Sequence, residues 1–189
     1  MSEKSTSSAF SLDWAGLADC AATPFPHGWD PDEYVFFSPR DPGVHSAILQ
    51  VVQSAGHSIL ANHYGFDDDE ISNAMLAKAA DSDIAFLLNL DSSQAGGIHE
   101  KKLLAVWQSY VGTSVAVGRS LKKAISHLKV TVVDGLYVVS GSTNLSTSGE
   151  TLQDNECRIT RNAMLAARYS AVILLNHAEM LKQMAAKAK

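Results

Sequence analysis

Apolar positions along this chain alternate between strand-like runs and helix-like spacing. Short β-branched or continuous apolar runs predict strands at residues 33–38, 58–64, 83–90, 113–117 and 157–160. Helical spacing, with apolar residues three and four apart, predicts helices that begin near residues 44, 67 and 99, and a long one over 163–187. This alternation predicts an α/β protein, a three-layer α/β/α sandwich with a mixed, largely parallel central sheet.

The N-terminal part of the chain lacks such periodicity. Residues 1–32 are rich in Ser at first and then in Pro, and they predict an irregular arm. Trp14, Phe25 and Trp29 indicate that part of this arm packs on the domain. Residues 33–189 are predicted to form one domain, since a chain of 189 residues with 46% hydrophobic content can bury one substantial core.

A hairpin is predicted where two β-branched runs flank Asp134-Gly135, a pair typical of tight two-residue turns. In that register Val133 lies opposite Leu136. Seven residues of extended strand, roughly 23 Å, separate Asp134 from His127. We therefore interpret Asp134 as a turn residue that sets the register, and not as a catalytic carboxylate.

One face of this predicted hairpin carries a polar cluster. Side chains of opposed and alternate residues share a face, and the residues placed there are His127, Lys129, Ser140 and Ser142, with Asn144 next in line. A single buried His is usually satisfied within the core. The aligned Lys and the Gly-Ser-x-Asn segment favour a site for a polar ligand instead, because such groups are costly to bury without partners.

The spacing of these residues resembles the signature of the phospholipase D superfamily. His127, Lys129, Asp134, Gly141, Ser142 and Asn144 fill the pattern His-x-Lys, four residues, Asp, six residues, Gly-Ser-x-Asn. In size and layout the chain is similar to the single-motif bacterial endonucleases and phosphodiesterases of that superfamily and to the mitochondrial cardiolipin-hydrolase-like proteins. The resemblance implies catalytic roles for His127, Lys129, Ser142 and Asn144, and structural ones for Asp134, Gly135 and Gly141.

The same resemblance implies two further features. Two motifs meet across a twofold axis in this superfamily, so a single-motif chain is expected to act as a homodimer. A Glu beyond the Gly-Ser-x-Asn segment orients the nucleophilic His in single-motif members. Glu156 is the candidate here, and Gln153, Asp154 and Asn155 lie close enough in sequence to be alternatives.

Other residues are candidates for substrate binding. His63 and Tyr64 lie at the end of the second predicted strand, where ligands of open α/β sheets gather; simple capping of the strand is the alternative. Arg119, Lys122 and Lys123 lead into His127 and are placed to meet further phosphates, although a solvated basic loop is the default interpretation. Ser140 is a further candidate for substrate binding, because the predicted hairpin register places it opposite Lys129.

Charge and composition limit the classes of binding partner and of metal site that the chain can have. The 15 basic and 20 acidic residues give a net charge of −5, which argues against a strongly basic nucleic-acid binder but leaves room for a local basic groove. Cys20 and Cys157 are too few and too distant for a disulfide framework or a cysteine metal site. Without a secretory signal, an anchor or a run of roughly 20 apolar residues, the expectation is a cytoplasmic protein without a membrane anchor.

The acidic run from Asp67 to Glu70 invites a metal-site interpretation. A helix start explains it better, with Asp67 as N-cap and Glu70 in a capping box, since carboxylates are stabilised at a helix N-terminus. No metal and no cofactor are therefore expected.

These inferences combine into one hypothesis. The chain is expected to be a metal-independent phosphodiesterase that cleaves nucleic acid through a phosphohistidine in a homodimer. Two alternatives remain: a phospholipase D-type lipid phosphodiesterase using the same residues, and a non-catalytic nucleic-acid-binding module with this fold.

Overall fold

The structure, a computed structural model, describes residues 11–30, 32–94 and 98–187. Seven strands form one sheet: β1 (Glu33–Ser38), β2 (Ser58–His63), β3 (Ala85–Asp91), β4 (Val115–Gly118), β5 (Lys129–Val133), β6 (Tyr137–Gly141) and β7 (Asn155–Arg161). The helices are α1 (Val44–Gln53), α2 (Asp69–Ala79), α3 (Ile98–Val106), α4 (Thr147–Thr151) and α5 (Ala163–Lys187).

The sheet has the order β1-β7-β6-β5-β2-β3-β4. The strand pairs β2–β3 and β3–β4 are parallel, and the other four described pairs are antiparallel. The α/β class and the mixed sheet are thus confirmed. The antiparallel share exceeds the expectation because β5, β6 and β7 are reached through a loop, a tight turn and a connection with the short helix α4, and not through long crossover helices.

Two apolar cores cover the two faces of the sheet. On one face α1, α2 and α3 pack on residues such as Ile59, Leu88 and Val133. On the other face α5 packs through Ala166 and Ile173 on a smaller patch of β5 and β6. The strands are therefore buried on both sides, as a three-layer arrangement requires.

Helix α5 has the predicted bounds, but its buried residues are not all apolar. Leu175 is 72% exposed, whereas His177 is 7% exposed. The two ring nitrogens of His177 lie 2.7 Å from Asn89 Oδ1 and 2.7 Å from the carbonyl oxygen of Thr113. The sequence pattern missed His177 because its polarity is satisfied inside the core.

The hairpin turn forms as predicted, but the strand register does not. Asp134 and Gly135 have φ of 53° and 62°, and the amide of Leu136 donates to the carbonyl of Val133 at 3.0 Å. Pairing then begins with Val133 opposite Tyr137. The carbonyl of Leu136 accepts from the amide of Asn162 at 2.9 Å, so Leu136 is an extra residue between turn and ladder, which shifts the register by one.

This shift moves Ser140 away from the predicted polar face. Ser140 pairs with Val130 and not with Lys129, and opposed residues project to the same side of a sheet. Val130 belongs to the core under α5. The expectation that Ser140 binds substrate beside Lys129 is therefore wrong.

The described part of the N-terminal arm, residues 11–30 and 32, is more ordered than predicted. It contains a 3₁₀-helix over Ala15–Cys20, whose Leu17 is fully buried in the larger core. The ring of Trp14 lies 5.1 Å from that of Tyr34 and 5.7 Å from that of Tyr137. The remaining positions of the predicted arm, residues 1–10 and 31, lie outside the described residues.

Two local expectations differ by small amounts. The N-cap of α2 is Asp68, whose carboxylate accepts from the amide of Ile71 at 2.7 Å, and not Asp67. The stretch after Asn144, where the sequence pattern predicts no helix, contains the single-turn helix α4. Ser146 caps α4 by accepting from the amide of Gly149 at 3.0 Å.

Candidate active site

The strand directions bring the predicted site residues to one edge of the sheet. The carboxyl ends of β2, β3, β4 and β6 meet there with the amino ends of β5 and β7. His63, Tyr64, His127, Lys129 and the Gly141–Asn144 segment all lie at this edge. It corresponds to the position where open α/β sheets bind ligands.

Tyr64 links His127 to Lys129. Its ring centroid lies 4.7 Å from that of the exposed His127 imidazole and 4.7 Å from the Lys129 ammonium. The Tyr64 hydroxyl accepts a hydrogen bond from the side-chain amide of Gln94 at 2.7 Å. Tyr64 therefore supports both groups, as expected of a cleft residue, and Gln94 was not anticipated because nothing in its local pattern marks it.

Lys129 is a buried cation with limited local support. It is 7% exposed, and its ammonium donates to the carbonyl oxygen of His127 at 3.1 Å. Burial lowers the pKa of Lys129 to about 8. A nearby anion would favour the charged form, so this side chain suits a negatively charged ligand.

His63 lies behind Lys129 and does not line the cleft. It is 1% exposed, and its Nε2 lies 2.8 Å from Thr131 Oγ1. Burial, with the Lys129 charge adding to it, lowers the pKa of His63 to about 3. The imidazole thus stays neutral and adds no charge beside Lys129, and its predicted contact with substrate is not available to a buried ring.

The segment before His127 is fixed by residues that the sequence analysis missed. Asp91, at the end of β3 and fully buried, accepts from the amide of Ser126. Asn62 donates to Ser126 Oγ at 3.1 Å. These two side chains position the chain one residue ahead of His127; the sequence signal was a polar residue closing each apolar strand.

The Gly141–Thr143 segment is held by the main chain of Glu156. The carbonyl oxygen of Glu156 accepts from the amide of Ser142 at 2.9 Å and from Thr143 Oγ1 at 2.9 Å. Gly141 has φ of 140°, and a Cβ there would lie 2.2 Å from that carbonyl oxygen. Glycine is therefore required for this close approach.

The side chain of Asn155 contacts the motif, whereas Glu156 contacts it through its main chain. Ser142 Oγ donates to Asn155 Oδ1 at 3.0 Å, while the Glu156 carboxylate pairs with Arg158 at 3.3 Å. Successive strand residues point to opposite faces, which separates the two side chains. The expected role of Glu156 in orienting His127 therefore lacks support. The neighbouring Asn155 is the residue whose side chain contacts Ser142 of the motif.

Asn144 and the basic residues complete the edge. Asn144 Oδ1 accepts from the amide of Gly65 at 3.3 Å, which ties the motif to the end of β2. Arg119, Lys122 and Lys123 are exposed on the connection from β4 to β5. This connection leads into His127, and Arg119 and Lys123 lie on it beside Gln183 of α5. We call Arg119, Lys122 and Lys123 the basic rim.

Asp134 lies at the opposite edge, where it holds the start of β2. Its carboxylate accepts from the amides of Gly56, His57 and Ser58 at 2.9, 2.7 and 2.7 Å. These bonds join two segments far apart in sequence. The structure thus gives Asp134 a structural position remote from the motif.

We expect Asp134→Asn to destabilise the protein without removing its chemistry. Hydrogen bonds to a charged group contribute roughly 1.5–3 kcal/mol each, and the amide would turn an NH₂ group toward a donor. Urea unfolding should show a loss of about 2–3 kcal/mol, with activity retained below the melting temperature. A variant with unchanged stability and no activity would contradict this assignment.

A second polar cluster lies behind the Gly-Ser-x-Asn segment. His45 Nδ1 is 2.7 Å from Glu150 and 3.4 Å from Asp68, and its Nε2 is 3.0 Å from Glu70. Burial lowers the pKa of His45, but the carboxylates outweigh it and the net pKa is raised. Burial raises the pKa of Glu150 to about 7, against the hydrogen bond from His45. Among the described residues, His45, Asp68 and Glu150 form the group able to hold a metal ion.

A family model described as "Cardiolipin synthase, PLD-like domain" matches residues 48–175, which is more than half of the chain. No curated protein matches the chain significantly. No helix among residues 11–30, 32–94 and 98–187 is long and apolar enough to cross a membrane.

Several solved structures share the fold. Nuc from Salmonella typhimurium, a phospholipase D family member, is 23% identical with a TM-score of 0.63, over 76% of this chain and 92% of that one. NucT from Helicobacter pylori is 17% identical with a TM-score of 0.64, over 79% and 95%. Phosphatidylserine synthase from Haemophilus influenzae is 8% identical with a TM-score of 0.54, over 77% and 38%. At these identities the likeness concerns the fold.

Proposed function

This chain belongs to the family of PLD-like domains, and on that premise we propose that it is a phosphodiesterase that cleaves nucleic acid. The observation that carries the proposal is the grouping of His127, Lys129 and Tyr64 at the sheet edge where Ser142 and Asn144 also lie. An exposed imidazole beside a buried cation suits attack on a phosphodiester. Such a substrate needs its charge neutralised before a nucleophile can approach.

In the proposed reaction His127 attacks phosphorus and forms a phosphohistidine, and the leaving alkoxide takes a proton. Lys129 neutralises the phosphate oxygens, and the Asn144 amino group donates to them. Ser142 contributes indirectly, since its hydroxyl holds Asn155. Water then attacks phosphorus and regenerates the imidazole.

One imidazole cannot serve as both nucleophile and general acid in the first step. A second must protonate the leaving group and later deprotonate water. We propose that a symmetric homodimer supplies it as His127 of the partner subunit, since the sequence carries the motif once.

Nucleic acid is favoured as the substrate by the basic rim of Arg119, Lys122 and Lys123 at this edge. The resemblance in fold to Nuc and NucT agrees with that choice. A phospholipid is the second candidate, favoured by the family model's reference to cardiolipin synthase.

Incubation with plasmid, single-stranded oligonucleotide, RNA and phosphatidylcholine micelles tests this choice. We expect cleavage of nucleic acid that persists in excess EDTA at room temperature, because fixed cationic and amide groups replace a metal. Vanadate should inhibit by occupying the phosphate position, and high salt should weaken cleavage by screening the polyanion.

Two results would overturn parts of this proposal. Release of headgroup from micelles without cleavage of any nucleic acid would assign the site to lipid. Loss of activity on chelation at an unchanged melting temperature, restored by one divalent ion, would replace the phosphohistidine by a metal-activated water.

A further inference from the structure

We propose that His45, Asp68 and Glu150 bind one divalent cation of the zinc class, in a structural site separate from the candidate active site. The three residues come from the first turn of α1, the N-cap of α2 and the short helix α4. They were not connected by any sequence motif. The inference is independent of whether the protein cleaves nucleic acid.

The distances suit a metal ion. His45 Nδ1 lies 2.7 Å from Glu150 Oε2 and 3.4 Å from Asp68 Oδ2, and one ligand atom from each residue falls within 4.8 Å of the others. Ligands about 2.0–2.1 Å from tetrahedral zinc are roughly 3.3 Å apart. The separation of His45 and Asp68 already fits this spacing, whereas the other two would change by roughly 0.6 Å and by up to about 1.5 Å to accommodate the ion, with water as the fourth ligand.

Glu70 fixes the orientation of the ring. Its carboxylate lies 3.0 Å from His45 Nε2, on the far side of the imidazole from Asp68 and Glu150. Metal-bound histidines commonly donate their other N–H to a carboxylate, which sets the tautomer and makes the ligating nitrogen more basic. This arrangement leaves Nδ1 as the ligating atom.

An unpaired buried oxygen points to a missing ligand. Glu150 is 2% exposed, and its Oε1 has no hydrogen-bond partner among the described residues. One imidazole faces two buried carboxylates, those of Asp68 and Glu150, and the exposed carboxylate of Glu70. A divalent cation bound by both oxygens of Glu150 would partner the free oxygen and offset the charge of the buried carboxylates, which otherwise costs stability.

The site is accessible and its donor set is selective. A depression of about 540 Å³, lined in part by Asp67, Asp68 and Glu70, opens beside the cluster, and its acidic lining would attract cations. Imidazole with carboxylates suits zinc, whereas magnesium and calcium prefer oxygen ligands alone. Bound zinc would join α1 and α2 to the segment that follows Asn144, and so stabilise the fold behind the motif.

Isothermal titration and thermal melting with zinc chloride test the site. The experiment uses the His127→Asn protein, so that His127 of the candidate active site cannot bind zinc. Bound metal is first removed with EDTA, and the EDTA is then removed. We expect one zinc per chain with micromolar or tighter affinity, a higher melting temperature with zinc, and at least tenfold weaker binding of magnesium. Both zinc effects should disappear in His45→Ala and Glu150→Gln.

Glu150→Gln conserves shape and keeps an oxygen toward His45, so it separates binding from folding. His57→Ala, an exposed histidine at the opposite edge of the sheet, is the matched control and should bind zinc unchanged. Absence of saturable binding, or binding that survives both cluster substitutions, would reduce the cluster to an ion-paired network only.

Discussion

Replacing His127 by Asn is expected to lower kcat/KM for phosphodiester cleavage by at least about 1,000-fold, because the variant has no nucleophile. The fold should be unaffected. The imidazole is exposed, its described ring contact is with Tyr64, and such surface substitutions change stability by about 0.5 kcal/mol or less. Kinetics with a labelled oligonucleotide and thermal melting would measure both quantities. His57→Asn, at the far edge of the sheet, is the control and should keep full activity.

The same variant also tests the need for two imidazoles. If wild-type and His127→Asn chains exchange subunits at equal amounts, activity per wild-type chain should fall to about one half, because mixed dimers lack one imidazole. Light scattering should show a dimer under assay conditions. A fully active monomer, or mixed dimers with undiminished activity, would remove the two-histidine scheme.

Replacing Lys129 by Met is expected to abolish cleavage as strongly, while the melting temperature stays equal or rises. Met fills a similar volume without the charge, and the charged form of Lys129 is disfavoured by burial, which lowers its pKa to about 8. Between that pH and the ordinary lysine pKa the folded protein binds fewer protons than the unfolded chain. The cost of the buried charge therefore applies fully below about pH 8 and declines as pH rises. Replacing Lys129 by Met would remove this cost at neutral pH, so the melting temperature should not fall.

The pKa of Lys129 also predicts the alkaline side of the activity profile. Only the ammonium form neutralises the phosphate, so kcat/KM should fall about tenfold per pH unit above about pH 8. Lys182→Met, an exposed substitution on α5, should change neither the profile nor the melting temperature. Full activity of Lys129→Met would exclude Lys129 from the reaction.

The grouping of the motif was predictable because its residues lie on adjacent strands joined by a short turn. Asp134 illustrates this: its turn conformation and its distance from His127 followed from local sequence alone. The strand register did not, because the carbonyl of Leu136 bonds to the amide of Asn162, in a segment that comes after β7. A local signal fixed the turn, and a distant contact decided the pairing.

The sequence also could not decide between Glu156 and its neighbours as the residue that faces the motif. Which of two successive side chains does so depends on where β7 begins, and it begins at Asn155. The cluster of His45, Asp68 and Glu150 gave no signal either, because its members lie on three helices that meet only in the folded chain. Asp68 was identified solely as part of a helix start.

The pairing of the first strand with the last has a consequence for biosynthesis. β1 pairs only with β7 among the described strands, with Glu33 opposite Thr160. The parallel strands β2, β3 and β4 can pair as they leave the ribosome, but β1 has no strand partner until residues 155–161 have been synthesised. Phe36 can pack on Phe25 before then, but the backbone edge of β1 stays unpaired throughout that interval. An unpaired strand edge promotes aggregation, so we expect β1 to be the segment of the sheet most prone to it during synthesis.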